Sequence, residues 1–102
     1  MPVVSMMRMS GDPDDFATRL RAHVEPVARR LAPQHGGLGN IVARTDDGVL
    51  VINLWENEEG RHAMAAEPEI QEALRGAGLP APDFEGYDVI THVIRPEAVT
   101  EA

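Results

Sequence analysis

The stretch Val49-Leu50-Val51-Ile52-Asn53-Leu54-Trp55-Glu56-Asn57-Glu58-Glu59-Gly60 decides the fold. It starts behind a turn signal, Asp46-Asp47-Gly48, and runs as a largely apolar, β-branched segment to the only tryptophan. Such a short apolar run reads as a strand. It then passes into acids with Asn57 as a cap, and acids in a first helical turn meet the positive end of the helix dipole. Alternation puts Leu50, Ile52 and Leu54 on one side of the strand, and Val49, Val51, Asn53 and Trp55 on the other. Both sides are mainly apolar, so the strand is expected to be covered on both faces.

Upstream, Asn40 to Thr45 reads as a second strand. Asp46-Asp47-Gly48 makes it a hairpin with the third, because Asp and Gly tolerate positive φ in tight turns. The preceding loop, Gln34 to Gly39, is glycine-rich. It does not meet the dinucleotide pattern G-x-G-x-x-G, since Val42 stands at the third glycine position, and no P-loop lysine follows. It reads as a helix-to-strand turn. The helix before it begins at Asp12-Pro13-Asp14-Asp15, a cap followed by a first-turn proline and acids. Phe16, Leu20, Val24, Val27 and Leu31 form its apolar stripe. Pro26 lies inside that pattern and is expected to kink or divide the helix. Val3 to Met9 reads as the first strand.

Downstream, the acidic start leads into a helix carrying Met64 and Ala65. Glu67-Pro68-Glu69 predicts a break and restart, Ile70, Ala73 and Leu74 face inward, and Gly76 or Gly78 ends the segment. Leu79 to Asp83 is a proline-stiffened loop. The fourth strand is expected within Phe84 to Ile94, best seen from Tyr87 to Ile94. Residues 1–95 form one domain in this reading, and 96–102 a frayed tail.

The order is β-α-β-β-α-β. It predicts a ferredoxin-like α+β fold: a four-stranded antiparallel sheet with two helices on one face. The helices leave the second apolar face uncovered. The economical cover is a second copy of the chain, sheet against sheet, in a two-fold homodimer.

Composition narrows the function classes. The chain has 102 residues and no cysteine, which excludes disulfides, thiolate nucleophiles and zinc–thiolate sites. Its net charge of −8 disfavours nucleic acid as a partner. No apolar stretch is long enough to span a bilayer and no signal-peptide pattern is seen, so neither membrane insertion nor export is expected. The cytoplasm fits these features.

The segment Leu50-Val51-Ile52-Asn53-Leu54-Trp55-Glu56-Asn57-Glu58-Glu59 resembles the strand-to-helix signature of the antibiotic-biosynthesis-monooxygenase-like superfamily, in which the third strand commonly ends in a Trp-Glu-Ser-Glu-Glu type run. The resemblance implies a dimeric α+β barrel with a pocket in each subunit between helices and sheet. It also implies a mixed range of activities: cofactor-free oxygenation of polyketide quinones and anthrones, haem degradation and small-molecule isomerisation, beside many members of no known role; the alternative reading is a non-catalytic dimeric ligand-binding or stress-related module. Anthrone-oxidising members have an asparagine where Val51 stands here; Asn53 is one alternation nearer the tryptophan. Their second-strand histidine is replaced by Val42 and Ala43. The haem-degrading pattern of a first-strand asparagine and a late second-helix histidine is absent.

Candidate chemistry follows from placement. Asn53 and Trp55 share a strand face and would position an aromatic substrate, or else satisfy a backbone group and anchor the core. His23, at the edge of the first helix stripe, and His62, in the second helix, are the candidate bases, since a cofactor-independent oxygenase must deprotonate its substrate. Both also read as ordinary surface histidines. Arg8 would hold a ligand carboxylate or phenolate, or pair with Asp88 or a glutamate. Met7 belongs to a pliable methionine-rich lining or to plain core. His92 shares parity with Ile90 and Ile94 and is expected to be buried. No i, i+4 histidine pair or His-Glu-x-x-His pattern occurs, so no metal is expected, and no cofactor motif is found. The expected ligand is a small apolar or aromatic molecule.

Overall fold

β3, Gly48–Trp55, is a central strand. It pairs antiparallel with β2, Gly37–Arg44, on one side and with β1, Val3–Ser10, on the other. β4, Glu85–Asp88, joins the free edge of β1, giving the order β2-β3-β1-β4. The computed structural model describes residues 1–79 and 83–93. Its α+β topology is the ferredoxin-like one predicted.

The register separates two rows of side chains. On one face of the sheet Val3, Ser5, Val49, Val51 and Trp55 are buried. The helices lie over this inner face. On the other, Val4, Met6, Leu50, Ile52 and Leu54 are only half-buried, and Ile41 and Tyr87 are 58% and 52% exposed. Among the described residues no helix lies over this outer face.

The first helical region is divided as the sequence predicts. α1, Pro13–Arg19, opens with Asp12 accepting from the Asp14 amide at 3.0 Å. A π-helical turn, Leu20–Val24, follows, and then α2, Glu25–Leu31. The Glu25 N–H donates to the Leu20 carbonyl, five residues back. Pro26 has no N–H to offer the carbonyl four residues before it, and its ring presses on that carbonyl; the wider turn gives it room. α3, Glu58–Ala65, starts with Asn57 accepting from the Gly60 amide at 2.8 Å. α4, Pro68–Gly76, restarts at Pro68. Leu31, Trp55, Met64 and Ile70 form the core between helices and sheet.

Three local readings are corrected. The β2–β3 hairpin closes through Thr45 N–H to the Gly48 carbonyl at 2.9 Å, without positive φ at Asp46, Asp47 or Gly48. Gly48 is required for close approach instead: a Cβ there would stand 1.9 Å from the Met9 carbonyl oxygen. β2 begins at Gly37 rather than Asn40, through an irregularity between Gly37 and Gly39. β4 is earlier and shorter than Tyr87–Ile94. Asp88 pairs with Val3, so β1 runs out at Pro2, whose carbonyl takes the Val89 amide. Beyond it Ile90 and His92 are exposed in the chain, His92 against expectation. Ile94, the prolines at 80 and 82 and the tail at 96–102 lie outside the described residues.

Candidate functional site

The helices cover the inner face of the sheet unevenly. Along β2 the inner row is Asn40, Val42 and Arg44, all exposed, while the neighbouring β3 residues Val49 and Val51 are buried. α1 stands across from this uncovered row. Between them lies a cleft of about 340 Å³, walled by Asp14, Ala17 and Thr18 of α1, by Arg21 of the π turn that continues it, and by Val42, Arg44 and Val49 of the sheet. Asp14, Ala17, Thr18 and Arg21 fall on one side of the helix by their spacing of three and four. Ala17 and Thr18 are small, so α1 does not close the gap. Ala17, Val42 and Val49 give it apolar lining, and Asp14, Thr18, Arg21 and Arg44 give it polar lining.

One ion pair crosses the cleft: Arg44 Nη2 lies 2.7 Å from Asp14 Oδ1, with both side chains exposed. The Thr18 hydroxyl donates to the Asp14 carbonyl at 2.9 Å, so its proton is already engaged. A second cleft, about 210 Å³, lies between Asp15, Phe16 and Arg19 of α1 and Met9, Val49 and Leu79. Arg19 spans it, paired to Asp15 at 3.0 Å and donating to the Ala77 carbonyl.

Met7, Asn53 and Trp55 share the inner face. Trp55 is buried in the core beside Leu31 and Met64, and its indole N–H donates to Ser5 Oγ at 3.3 Å. Asn53 is half-buried and accepts from the Asn40 side-chain amide across the strand pair. It stands one alternation beyond Val51, whose β2 partner Val42 lines the larger cleft. Met7 is half-buried, and its sulfur accepts from the Asp83 amide at 3.3 Å.

The other predicted site residues stand apart. Arg8 is exposed on the outer face, with no acid at ion-pair distance among the described residues. Asp88 pairs with Val3 and so lies on the opposite face. His23 is exposed in the π turn, with its Nδ1 near Gly76 of α4. His62 is exposed on α3, 2.9 Å from Glu58 Oε1. Neither histidine lines either cleft. His35 is half-buried and contacts Glu67 at 2.9 Å. Sequence reasoning missed Arg21, Arg44 and Val42. The available signal was the pair of small residues, Ala17 and Thr18, on the flank of the apolar stripe.

Among the described residues Arg30, Glu58 and Tyr87 are electrostatically perturbed, Arg30 upward through its hydrogen bond to Glu69 and that carboxylate's charge. The hydrogen bond from Arg61, and secondarily its charge, holds the Glu58 carboxyl below the usual range. Tyr87, on the outer face, donates to Glu85, which pushes its phenol above the ordinary value. Among the described residues no group of three or more His, Asp or Glu is placed to hold a metal ion. None of the described helices is long and apolar enough to cross a membrane.

This sheet order, with helices on one face, is shared with solved structures that include candidate antibiotic biosynthesis monooxygenases and a cofactor-independent oxygenase. SnoaB, a cofactor-independent oxygenase from Streptomyces nogalater, superposes with a TM-score of 0.62 at 12% identity, over 92% of this chain and 96% of that one. A candidate antibiotic biosynthesis monooxygenase from Deinococcus radiodurans gives 0.62 at 19% identity, over 93% and 98%. The heme-degrading protein Rv3592 from Mycobacterium tuberculosis gives 0.59 at 21% identity, over 91% and 99%. At these identities the likeness is one of fold. Neither protein-family models nor curated proteins match the chain by sequence.

Proposed function

We propose that this chain is a small-molecule pocket protein that takes an aromatic or polyketide-like ligand in the cleft between α1 and β2. The observation that carries the reading is the uncovered inner row of β2, which leaves apolar and polar lining open on the helix side of the sheet. Asn53 stands next along that face and offers an amide to a ligand reaching past Val42. Trp55, on the same face, anchors the end of the strand in the core against Leu31 and Met64.

The activity proposed for the site is cofactor-independent oxygenation, supported by the shared fold of SnoaB. In such a reaction a base removes a proton from a phenolic or doubly activated carbon acid, and the carbanion gives an electron to oxygen. One oxygen atom enters the substrate, and the other leaves as water with the two substrate hydrogens. Asn53 is the candidate positioning group; the sequence-derived bases His23 and His62 line neither cleft, so they serve this site only if the substrate reaches beyond it. Oxygen uptake with a panel of hydroquinones and anthrones tests this. Uptake that falls about tenfold or more in Asn53→Ala is expected, and a matching fall in His23→Ala or His62→Ala identifies the base. Uptake indifferent to Asn53→Ala overturns the positioning role, and uptake indifferent to both histidine variants overturns them as bases.

A non-catalytic binding module is the second reading. It is favoured by the exposure of both histidines outside the clefts. Ligand binding without oxygen uptake selects it. In either case the outer sheet face is proposed to be covered by a second copy of the chain, because Ile41, Ile52 and Leu54 otherwise meet water.

A further inference from the structure

The arginines of this acidic chain are mostly held in ion pairs. Among the described residues Arg19, Arg29, Arg30, Arg44, Arg61 and Arg75 each hold a carboxylate. Arg8 and Arg21 do not. Arg8 stands on the outer sheet face, but Arg21 lines the larger cleft, one helical turn after Ala17. The cleft therefore carries two guanidinium groups and one carboxylate, Asp14, in a chain of net charge −8. Its charge runs against that of the molecule, and its cations stand beside the apolar lining made by Val42, Val49 and Ala17.

We infer that the cleft is selective for a small, flat aromatic carboxylate, with its ring on Val42 and Ala17 and its carboxylate on Arg21. This rests on the reading of the cleft as a ligand site. A guanidinium presents a planar fork that matches a carboxylate with two parallel hydrogen bonds. Arg44 is the second contact. Its pair with Asp14 is exposed on both sides, and such pairs are weak enough to be exchanged for a ligand anion. Asp14 is then a competitor of the ligand, and its charge limits affinity.

The probes are naphthoate and its neutral isostere naphthamide, titrated calorimetrically into the full chain at low salt. Naphthoate should bind about tenfold more tightly, the worth of one charge-assisted contact at an exposed rim. Arg21→Gln should abolish that preference while leaving naphthamide unchanged, and Arg21→Lys should restore part of it. Asp14→Asn should tighten naphthoate alone. The preference should fall as salt rises from about 10 to about 300 mM, since the rim is screened. Ala17→Phe, which fills the cleft, should weaken both probes. Equal binding of the two probes, blocked by Ala17→Phe, overturns the carboxylate inference and leaves the cleft reading standing. A naphthoate preference that survives Arg21→Gln also overturns it. Failure of both probes to bind overturns the inference and the cleft reading together.

Discussion

At the residue scale, the indole of Trp55 has one identified partner, the hydroxyl of Ser5, and both groups are buried. A buried N–H left without an acceptor costs more than the bond itself contributes. Ser5→Ala is expected to destabilise the fold by about 1–3 kcal/mol, read from urea denaturation. In Trp55→Phe the donor is already gone, so adding Ser5→Ala should cost clearly less than it does alone; full additivity would show that the bond contributes nothing. Alternation alone put Asn53 and Trp55 on one face, and the register bears that out. The Ser5 partnership was not legible, because it depends on which β1 residues oppose β3. Gly48 was legible as a glycine that matters, but for another reason. Its neighbour is the Met9 carbonyl on a strand far away in sequence, and no local pattern announces such a contact.

At the element scale, α3 is tied to the sheet edge through a side chain. Arg61 donates to Glu58 one turn earlier, and its guanidinium lies over Gly86 of β4, where a Cβ would stand 3.2 Å from it. Arg61 thus holds the first turn of α3 and covers the short edge strand. Because the Glu58 carboxyl is held below its unfolded range, its contribution to stability is present above that range and is lost as pH falls through the folded value. Denaturation midpoints measured between pH about 3 and about 7 should fall less steeply on the acid side in Glu58→Gln than in the parent chain. Parallel acid limbs would refute the coupling. The helix break at Pro68 and the division near Pro26 were both legible, since proline removes a donor wherever it stands. That the second takes the form of a π turn was not, because it reflects how the helix relaxes around the ring. The short β4 was misjudged for a related reason. Its β-branched sequence continues to Ile94, but its partner strand ends first.

At the scale of the whole molecule, the element order and the two apolar sheet faces were readable because alternation and turn chemistry are local signals. The cleft was not, because it arises from what α1 fails to cover. The unfinished part of the molecule is the outer face. It presents Val4, Met6, Leu50, Ile52 and Leu54, with Ile41 and Tyr87 more than half exposed, and the adjoining Ile90 is 98% exposed. A continuous apolar face of this kind marks an interface, and a two-fold partner can present the same face in return. Light scattering at micromolar concentration is therefore expected to give twice the chain mass. Ile52→Lys, at the middle of the face, should shift the mass to that of the monomer, since an unpaired ammonium buried between two sheets is costly. Asp14→Asn, in α1 on the other side of the sheet, should leave the mass unchanged. A parent chain that scatters as a monomer would refute the paired-sheet arrangement. It would also leave Arg8, which shares that outer face, as a cation open to solvent rather than one needing an acid from a second copy.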